Sequence, residues 1–215
     1  MSLLDNFINE CDIALKTLSF KKSGTGRSYP VKEAPSSLSK EEKNLSAQLM
    51  RVNLAGEVAA QALYRGQAMV CKDAEIKNHL MQAGEEETDH LIWCKKRLEE
   101  LNGKPSILNP VWYAGSFAIG AIFGSFGEKT SLGFVEETEK QVVKHLERHL
   151  DKVSKNDVET IEILKTMRAD EDEHAQEAIE NGSESLSEPT KKVMSFTAKV
   201  MTSSSAYTVS YTHLT

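Results

Sequence analysis

The chain has 215 residues, 40% of them hydrophobic, and its 26 basic and 32 acidic residues give a formal net charge of −6. This length fits a single domain with a substantial core. Because the net charge is negative and no basic stripe is visible, we expect no nucleic acid among its partners.

The cysteines and the N-terminal residues favour a cytosolic protein. Cys11, Cys71 and Cys94 are odd in number and form no Cys-x-x-Cys motif. Reduced thiols account for this pattern better than disulfides or a zinc site. Acidic residues such as Asp5 and Glu10 lie close to the N-terminus, so we expect neither a secretory signal nor an arginine-rich transit peptide there.

Helical periodicity dominates the chain, and strand-like alternation is weak before residue 206,. We therefore predict an all-α fold. The predicted helices cover residues 3–18, 39–70, 74–101, 132–153, 156–180 and 189–201. Ser39 and Glu42 form a capping-box signature at the start of the second helix. Gly103 is the predicted left-handed cap after the third helix, with Pro105 beyond it.

A charge-free segment, residues 105–127, separates the third and fourth of these helices. Its most apolar part, residues 111–126, is too short and too rich in glycine to span a bilayer comfortably. It is either a buried crossover between bundle halves or an apolar helix that contacts a membrane surface or a lipid-like substrate. On the second interpretation, the contacting side chains are Trp112, Tyr113, Phe117, Ile122 and Phe126, with the first two as interfacial anchors.

The C-terminal end departs from the helical pattern. Residues 209–215 resemble translated sequencing-adapter DNA, a contaminant of assembled genomes. We therefore interpret residues 1–201 as one domain and residues 202–215 as a disordered tail outside it.

Two Glu-x-x-His pairs are the most informative motifs. They are Glu87/His90 and Glu171/His174, and a single glutamate precedes each pair on an earlier helix. Residues three apart share a helix face, so each pair projects together. Carboxylate oxygens and imidazole nitrogens suit iron and manganese. A solvent-facing pair is the ordinary alternative for either motif alone, but the repetition favours a dimetal site in a four-helix bundle.

The preceding glutamates are Glu57 and Glu139, with Glu136 as the alternative to Glu139. Glu57 lies among small residues, which would let a neighbouring helix approach closely. Glu136 and Glu139 are three residues apart and share a helix face.

Four runs together resemble the demethoxyubiquinone hydroxylases, in particular their bacterial form. They are residues 51–57, 86–91, 137–139 and 170–175. The similarity extends from the N-terminal helix to about Met201 and includes the apolar segment. The resemblance implies a ferritin-like four-helix bundle with extra N-terminal, apolar crossover and C-terminal helices.

The resemblance also implies a site and a reaction. Two Fe²⁺ ions would be held by Glu57, Glu87, His90, Glu139, Glu171 and His174. Family spacing favours Glu139 over Glu136, and Glu87 and Glu171 are the expected bridges. His145 matches a family histidine and would move protons near neutral pH. We further hypothesise that Glu86 and Asp170 accept the ring N–H bonds of the histidines in the opposite pair.

The expected activity is O₂-dependent hydroxylation of a polyprenylated methoxy-methyl benzoquinol in ubiquinone biosynthesis. We expect a peripheral protein on the cytoplasmic side of the bacterial inner membrane, and leave open a homo-oligomer or partner proteins. No Gly-x-Gly-x-x-Gly motif follows a strand, so the reductant is supplied from outside the chain. The main alternative is a ferritin-type ferroxidase or iron-storage subunit. A manganese catalase, another di-iron oxygenase and a quinone-lipid carrier are further alternatives.

Overall fold

A computed structural model describes residues 3–31 and 37–209 of the chain. These residues form seven α-helices and one isolated β-bridge, which confirms the predicted all-α class. The helices are α1 (Leu3–Leu18), α2 (Lys40–Val70), α3 (Ala74–Glu100), α4 (Asn109–Gly124), α5 (Glu128–Lys152), α6 (Val158–Glu180) and α7 (Glu188–Tyr207).

The four longest helices form the bundle. Short loops join α2 to α3 and α5 to α6, so each pair packs as an antiparallel hairpin, and α3 contacts α6 between the hairpins,. The core between them contains fully buried side chains such as Leu54, Leu91, Leu98 and Met167. Each such side chain stabilises the fold by about 1.5–3 kcal/mol. This apolar packing fixes the inward faces of all four helices.

The helix ends show which local predictions hold. At the start of α2, Glu42 N donates to Ser39 Oγ at 3.2 Å and Ser39 N donates to Glu42 Oε2 at 2.8 Å, so the capping box is confirmed. After α3, the left-handed residue is Asn102 (φ 57°), and the prediction for Gly103 is wrong. Gly103 is needed for space instead, because a Cβ there would lie 2.3 Å from Leu98 Cδ1.

Helix α4 is a crossover that lies against the outside of α2. A Cβ on Gly66 would stand 2.2 Å from the carbonyl oxygen of Phe117, and one on Gly120 would stand 2.3 Å from that of Leu63. The two backbones therefore touch along this line. The opposite face of α4 is open, with Ile122 54% exposed, and Phe126, two residues after the helix, is 66% exposed. Over residues 3–31 and 37–209, no helix is both long and apolar enough to cross a bilayer.

Helix α7 continues six residues past its predicted end at Met201 and stops at Tyr207. Ser205 is buried and accepts a hydrogen bond from Trp112 Nε1 at 3.0 Å, and Arg51 Nη1 donates to the carbonyl oxygen of Ala206 at 2.9 Å. The prediction of a disordered tail is therefore wrong for residues 202–209. Polar contacts hold this end, and a hydrophobic pattern does not reveal them. Residues 210–215 lie outside the described residues.

Candidate metal centre

Each of the four bundle helices contributes to one buried cluster of ionisable side chains. Ionisable side chains are almost never fully buried unless they are paired or bind a metal. All six side chains of the cluster lie in the bundle interior. They are Glu57 on α2, Glu87 and His90 on α3, Glu139 on α5, and Glu171 and His174 on α6.

Two carboxylates of the cluster lie between the two imidazoles. Glu87 places Oε2 at 3.1 Å from His90 Nδ1 and Oε1 at 3.3 Å from His174 Nδ1. Glu171 places Oε1 at 3.1 Å from His90 Nδ1 and Oε2 at 3.4 Å from His174 Nδ1. Glu57, Glu87, His90 and Glu171 offer ligand atoms that all lie within 4.8 Å of one another. Each central carboxylate thus has one oxygen for each imidazole.

The structure decides between the two glutamates of α5. Glu139 is buried, and its Oε1 accepts a hydrogen bond from Tyr64 OH at 2.8 Å. Glu136 instead bonds to Lys140 and to Ser183, on the outside of the bundle. Glu139 therefore faces the cluster and Glu136 does not.

The outer nitrogen of each imidazole meets a carboxylate from the opposite pair's helix. His90 Nε2 lies 2.8 Å from Asp170 Oδ2, and His174 Nε2 lies 3.0 Å from Glu86 Oε2. The hydrogen bond from His174 lowers the pKa of Glu86. Burial alone would raise the pKa of Asp170, but hydrogen bonds from His90 and Arg27 lower it. These contacts fix both rings with Nδ1 turned towards the cluster.

Without a metal, the cluster retains protons. Burial, followed by the charges of Glu87 and Glu171, raises the pKa of Glu57 well above its usual value. The pKa of Glu139 is raised well above its usual value by burial and by the same two charges. Burial alone would lower the pKa of His90, yet Glu171 and Glu87 raise it strongly. The buried carboxylates are therefore balanced by protons that a cation could replace.

The residues present fit a pair of divalent cations. Four carboxylates and two imidazoles carry four negative charges when deprotonated, which equals the charge of two divalent ions. Glu87 Oε1 is buried, and apart from its 3.3 Å contact with His174 Nδ1 it has no hydrogen-bond donor among the residues that the structure describes. A buried carboxylate oxygen without a donor is costly, so it is suited to a metal. The mixed oxygen and nitrogen donors favour iron or manganese.

His145 has partners outside the cluster. Its Nε2 is 3.3 Å from Asn53 Oδ1, and its ring centroid is 4.0 Å from that of His149. Burial and the nearby charge of Arg148 lower the pKa of His145 to about 4. Titration near neutral pH, on which its predicted role depended, is therefore not expected. As a neutral imidazole it can still accept a proton transiently, and its catalytic role stays a prediction.

The five candidates of the apolar segment, four on α4 and Phe126 just after it, divide between a protein-facing and an exposed group. Trp112 is half-buried and donates to Ser205, Tyr113 is buried, and Phe117 packs against the core. These three side chains lie on the protein-facing side of α4, which does not match the predicted role of interfacial anchor for Trp112 and Tyr113. Ile122 and Phe126 project outwards.

Sequence reasoning missed three residues around the cluster. Gln61 donates to the carbonyl oxygen of Glu87 at 3.4 Å, and Tyr64 donates to Glu139. Both could have been predicted from the sequence, because positions 57, 61 and 64 share one helix face. The contact of Arg27 with Asp170 could not have been predicted, because Arg27 lies in a segment without helical periodicity.

The comparisons with known proteins agree with this geometry. The family described as "Ubiquinone biosynthesis protein COQ7" matches residues 44–205, a range that contains all six clustered side chains. The 3-demethoxyubiquinol 3-hydroxylase of Legionella pneumophila (strain Lens) is 50% identical over 208 residues, covering 96% of this chain and 98% of that protein.

Two further relatives carry the same name. The protein of Francisella philomiragia is 48% identical over 202 residues, covering 94% of this chain and 96% of the relative. That of Chromobacterium violaceum is 46% identical over 204 residues, covering 94% and 98%. With three quarters of its length matched and near-complete coverage of such relatives, the chain belongs to the COQ7 family of ubiquinone biosynthesis proteins.

Proposed function

We propose that this chain is a 3-demethoxyubiquinol 3-hydroxylase, an O₂-dependent di-iron monooxygenase of ubiquinone biosynthesis. One observation carries the proposal: Glu87 and Glu171 each face both histidines inside the bundle. The near full-length similarity to proteins of that name supports the substrate and reaction. The family of these relatives is one of ubiquinone biosynthesis proteins.

Two ferrous ions would be held by the six clustered side chains. His90 and His174 would bind through Nδ1, with Glu87 and Glu171 between them and Glu57 and Glu139 as the remaining carboxylates. When bound, the irons supply electrons for O₂ reduction, so that one oxygen atom enters the quinol ring and the other leaves as water. The two electrons that the iron pair would lose in each turnover would be returned by a reductant outside the chain.

The protein's own groups orient the two histidines and keep a nearby thiol protonated. Glu86 and Asp170 hold the outer ring nitrogens, which leaves the inner nitrogens free to bind. One turn below the cluster, the Cys94 thiol donates to Met167 Sδ at 3.7 Å. Burial and the charge of Glu57 raise the pKa of Cys94 well above its usual value. It therefore remains a thiol in the metal-free protein.

We further propose that the protein binds peripherally to the cytoplasmic side of the bacterial inner membrane. The isoprenoid tail of the substrate resides in a bilayer. Large apolar side chains are exposed at Ile122 of α4 and Phe126 just after it, and at Val193 and Phe196 of α7. Exposed apolar surface of this kind suits contact with lipid.

The test is reconstitution with iron under anaerobic conditions, followed by a short-chain demethoxyubiquinol, a chemical reductant and isotopically labelled O₂. We expect a hydroxylated quinol that carries one labelled oxygen atom. Two bound irons without any hydroxylated product would contradict the hydroxylase. Iron oxidised and retained without product, together with a large cage on size exclusion, would instead support the ferritin-type alternative.

A further inference from the structure

The segment after α1, residues 19–31, lies along the outer face of α3, and we call it the strap. Thr25 N donates to Asp89 Oδ1 at 3.1 Å, and the Thr25 hydroxyl donates to the same carboxylate. Tyr29 OH donates to Glu100 Oε2 at 3.2 Å. A Cβ on Gly24 would stand 1.9 Å from Asp89 Oδ1, so a larger residue there would displace that carboxylate. The strap is thus docked at several points along one helix.

One strap residue reaches across to α6. Arg27 forms a bidentate ion pair with Asp170, with Nη1 at 2.7 Å from Oδ2 and Nη2 at 3.0 Å from Oδ1. Its guanidinium carbon lies 5.0 Å from the centre of the Trp93 ring, and that ring is 5.3 Å from the ring of His90. A bidentate arginine–carboxylate pair is both strong and directional. Arg27 therefore fixes the carboxylate, and beside it the aromatic ring, that flank His90.

The carboxylate that faces the other histidine, His174, has no such arginine partner among the described residues. The side chain of Asp170 is 16% exposed, whereas that of Glu86, which faces His174, is 31% exposed. The amide of Gln82 donates to Glu86 at 3.2 Å. Within residues 3–31 and 37–209, no arginine or lysine forms an ion pair with Glu86, and the charge of Arg27 acts on it only at longer range. The carboxylate beside His90 is therefore paired with an arginine, whereas the carboxylate beside His174 is not.

We propose that Arg27 is a positioning residue that locks the Asp170–His90 half of the centre, so that this half retains its metal longer than the His174 half. The inference rests on the proposed dimetal site and goes beyond it. Outer partners of metal-binding histidines typically change metal affinity about 10- to 100-fold. The chain's two metals thus differ in lability, although their direct ligands are nearly symmetric.

The experiment measures metal release from the full chain loaded anaerobically with Fe²⁺ and mixed with an excess of a coloured chelator. We expect two phases in the wild type, one fast and one slow. Arg27→Gln should speed the slow phase about 10- to 100-fold. Arg27→Lys should recover part of the loss, because it restores the charge but not the paired geometry. Glu86→Gln should act on the fast phase.

Arg168→Gln is the matched control. Arg168 is on α6 close to Asp170 in sequence, is 42% exposed against 38% for Arg27, and pairs with Glu147 instead of a histidine partner. It should leave both phases unchanged. Equal acceleration of both phases by Arg27→Gln, or none, would overturn the inference while leaving the metal centre intact. A wild type that binds no iron would overturn the proposed function itself.

Discussion

Glu171 serves both imidazoles of the cluster, with its two oxygens 3.1 Å from His90 and 3.4 Å from His174. Removing its carboxylate should therefore disturb both metals. We predict that Glu171→Ala lowers the iron content of the anaerobically loaded protein from two per chain to below one. Glu173→Ala is the control, because Glu173 lies on the same helix but is exposed.

Metal analysis after gel filtration, combined with thermal unfolding to verify the fold, measures this effect. His174→Ala should give the same loss. Two irons retained in either variant, with a folded chain, would remove that residue from the site.

The protons held by the cluster predict a pH dependence of metal binding. Glu57, Glu139 and His90 all have raised pKa values, so they are protonated at higher pH than free side chains. Each must lose its proton to bind a cation. Metal binding therefore releases protons, and the apparent affinity should fall as pH falls, by about tenfold per pH unit for each proton displaced.

Calorimetric titration with Mn²⁺ in two buffers of different ionisation enthalpy counts the released protons. We expect at least one proton per metal between about pH 6 and 8. Equal heats in both buffers, with an affinity that does not change with pH, would contradict the account of a cluster balanced by protons.

The contact between α2 and α4 depends on glycine, as a Cβ on Gly66 would meet the carbonyl oxygen of Phe117 at 2.2 Å. Gly66→Ala must separate two helix backbones, which costs about 1–3 kcal/mol. A Cβ on Gly56, also on α2, would have open space around it, with no atom of another described element within 4 Å. Gly56→Ala should instead stabilise the helix by about 0.5–1 kcal/mol. Chemical unfolding of both variants checks this, and equal effects would refute the close packing.

The exposed apolar side chains on the outward face of α4 and just after the helix lead us to predict binding to lipid. Replacing Ile122 and Phe126 with aspartate should weaken binding to vesicles of phosphatidylethanolamine and phosphatidylglycerol by tenfold or more, because each apolar side chain contributes about 1.5–3 kcal/mol when buried. Ile179→Asp is the control, since Ile179 is also exposed (41%) but lies on α6. Vesicle flotation measures the difference. Unchanged flotation of the α4 variant would exclude this face from membrane contact.

At the level of the whole molecule, the sequence predicts the four bundle helices better than the segments that pack around them. The ligand spacing on α3 and α6 follows from helix periodicity, so Glu87 with His90 and Glu171 with His174 could be paired in advance. The close contact of α2 with α4 and the true end of α7 could not be predicted from the sequence. Both depend on tertiary contacts, such as the bond from Trp112 to Ser205, that leave no periodic pattern,. The same holds for Arg27, whose partner lies 143 positions away.

The most direct measurement of the central claim is a crystal of the iron-loaded chain, with diffraction data recorded at the iron absorption edge. The account predicts two anomalous peaks between Glu87 and Glu171, one next to Nδ1 of His90 and the other next to Nδ1 of His174. A single peak, or iron located away from these two carboxylates, would contradict it.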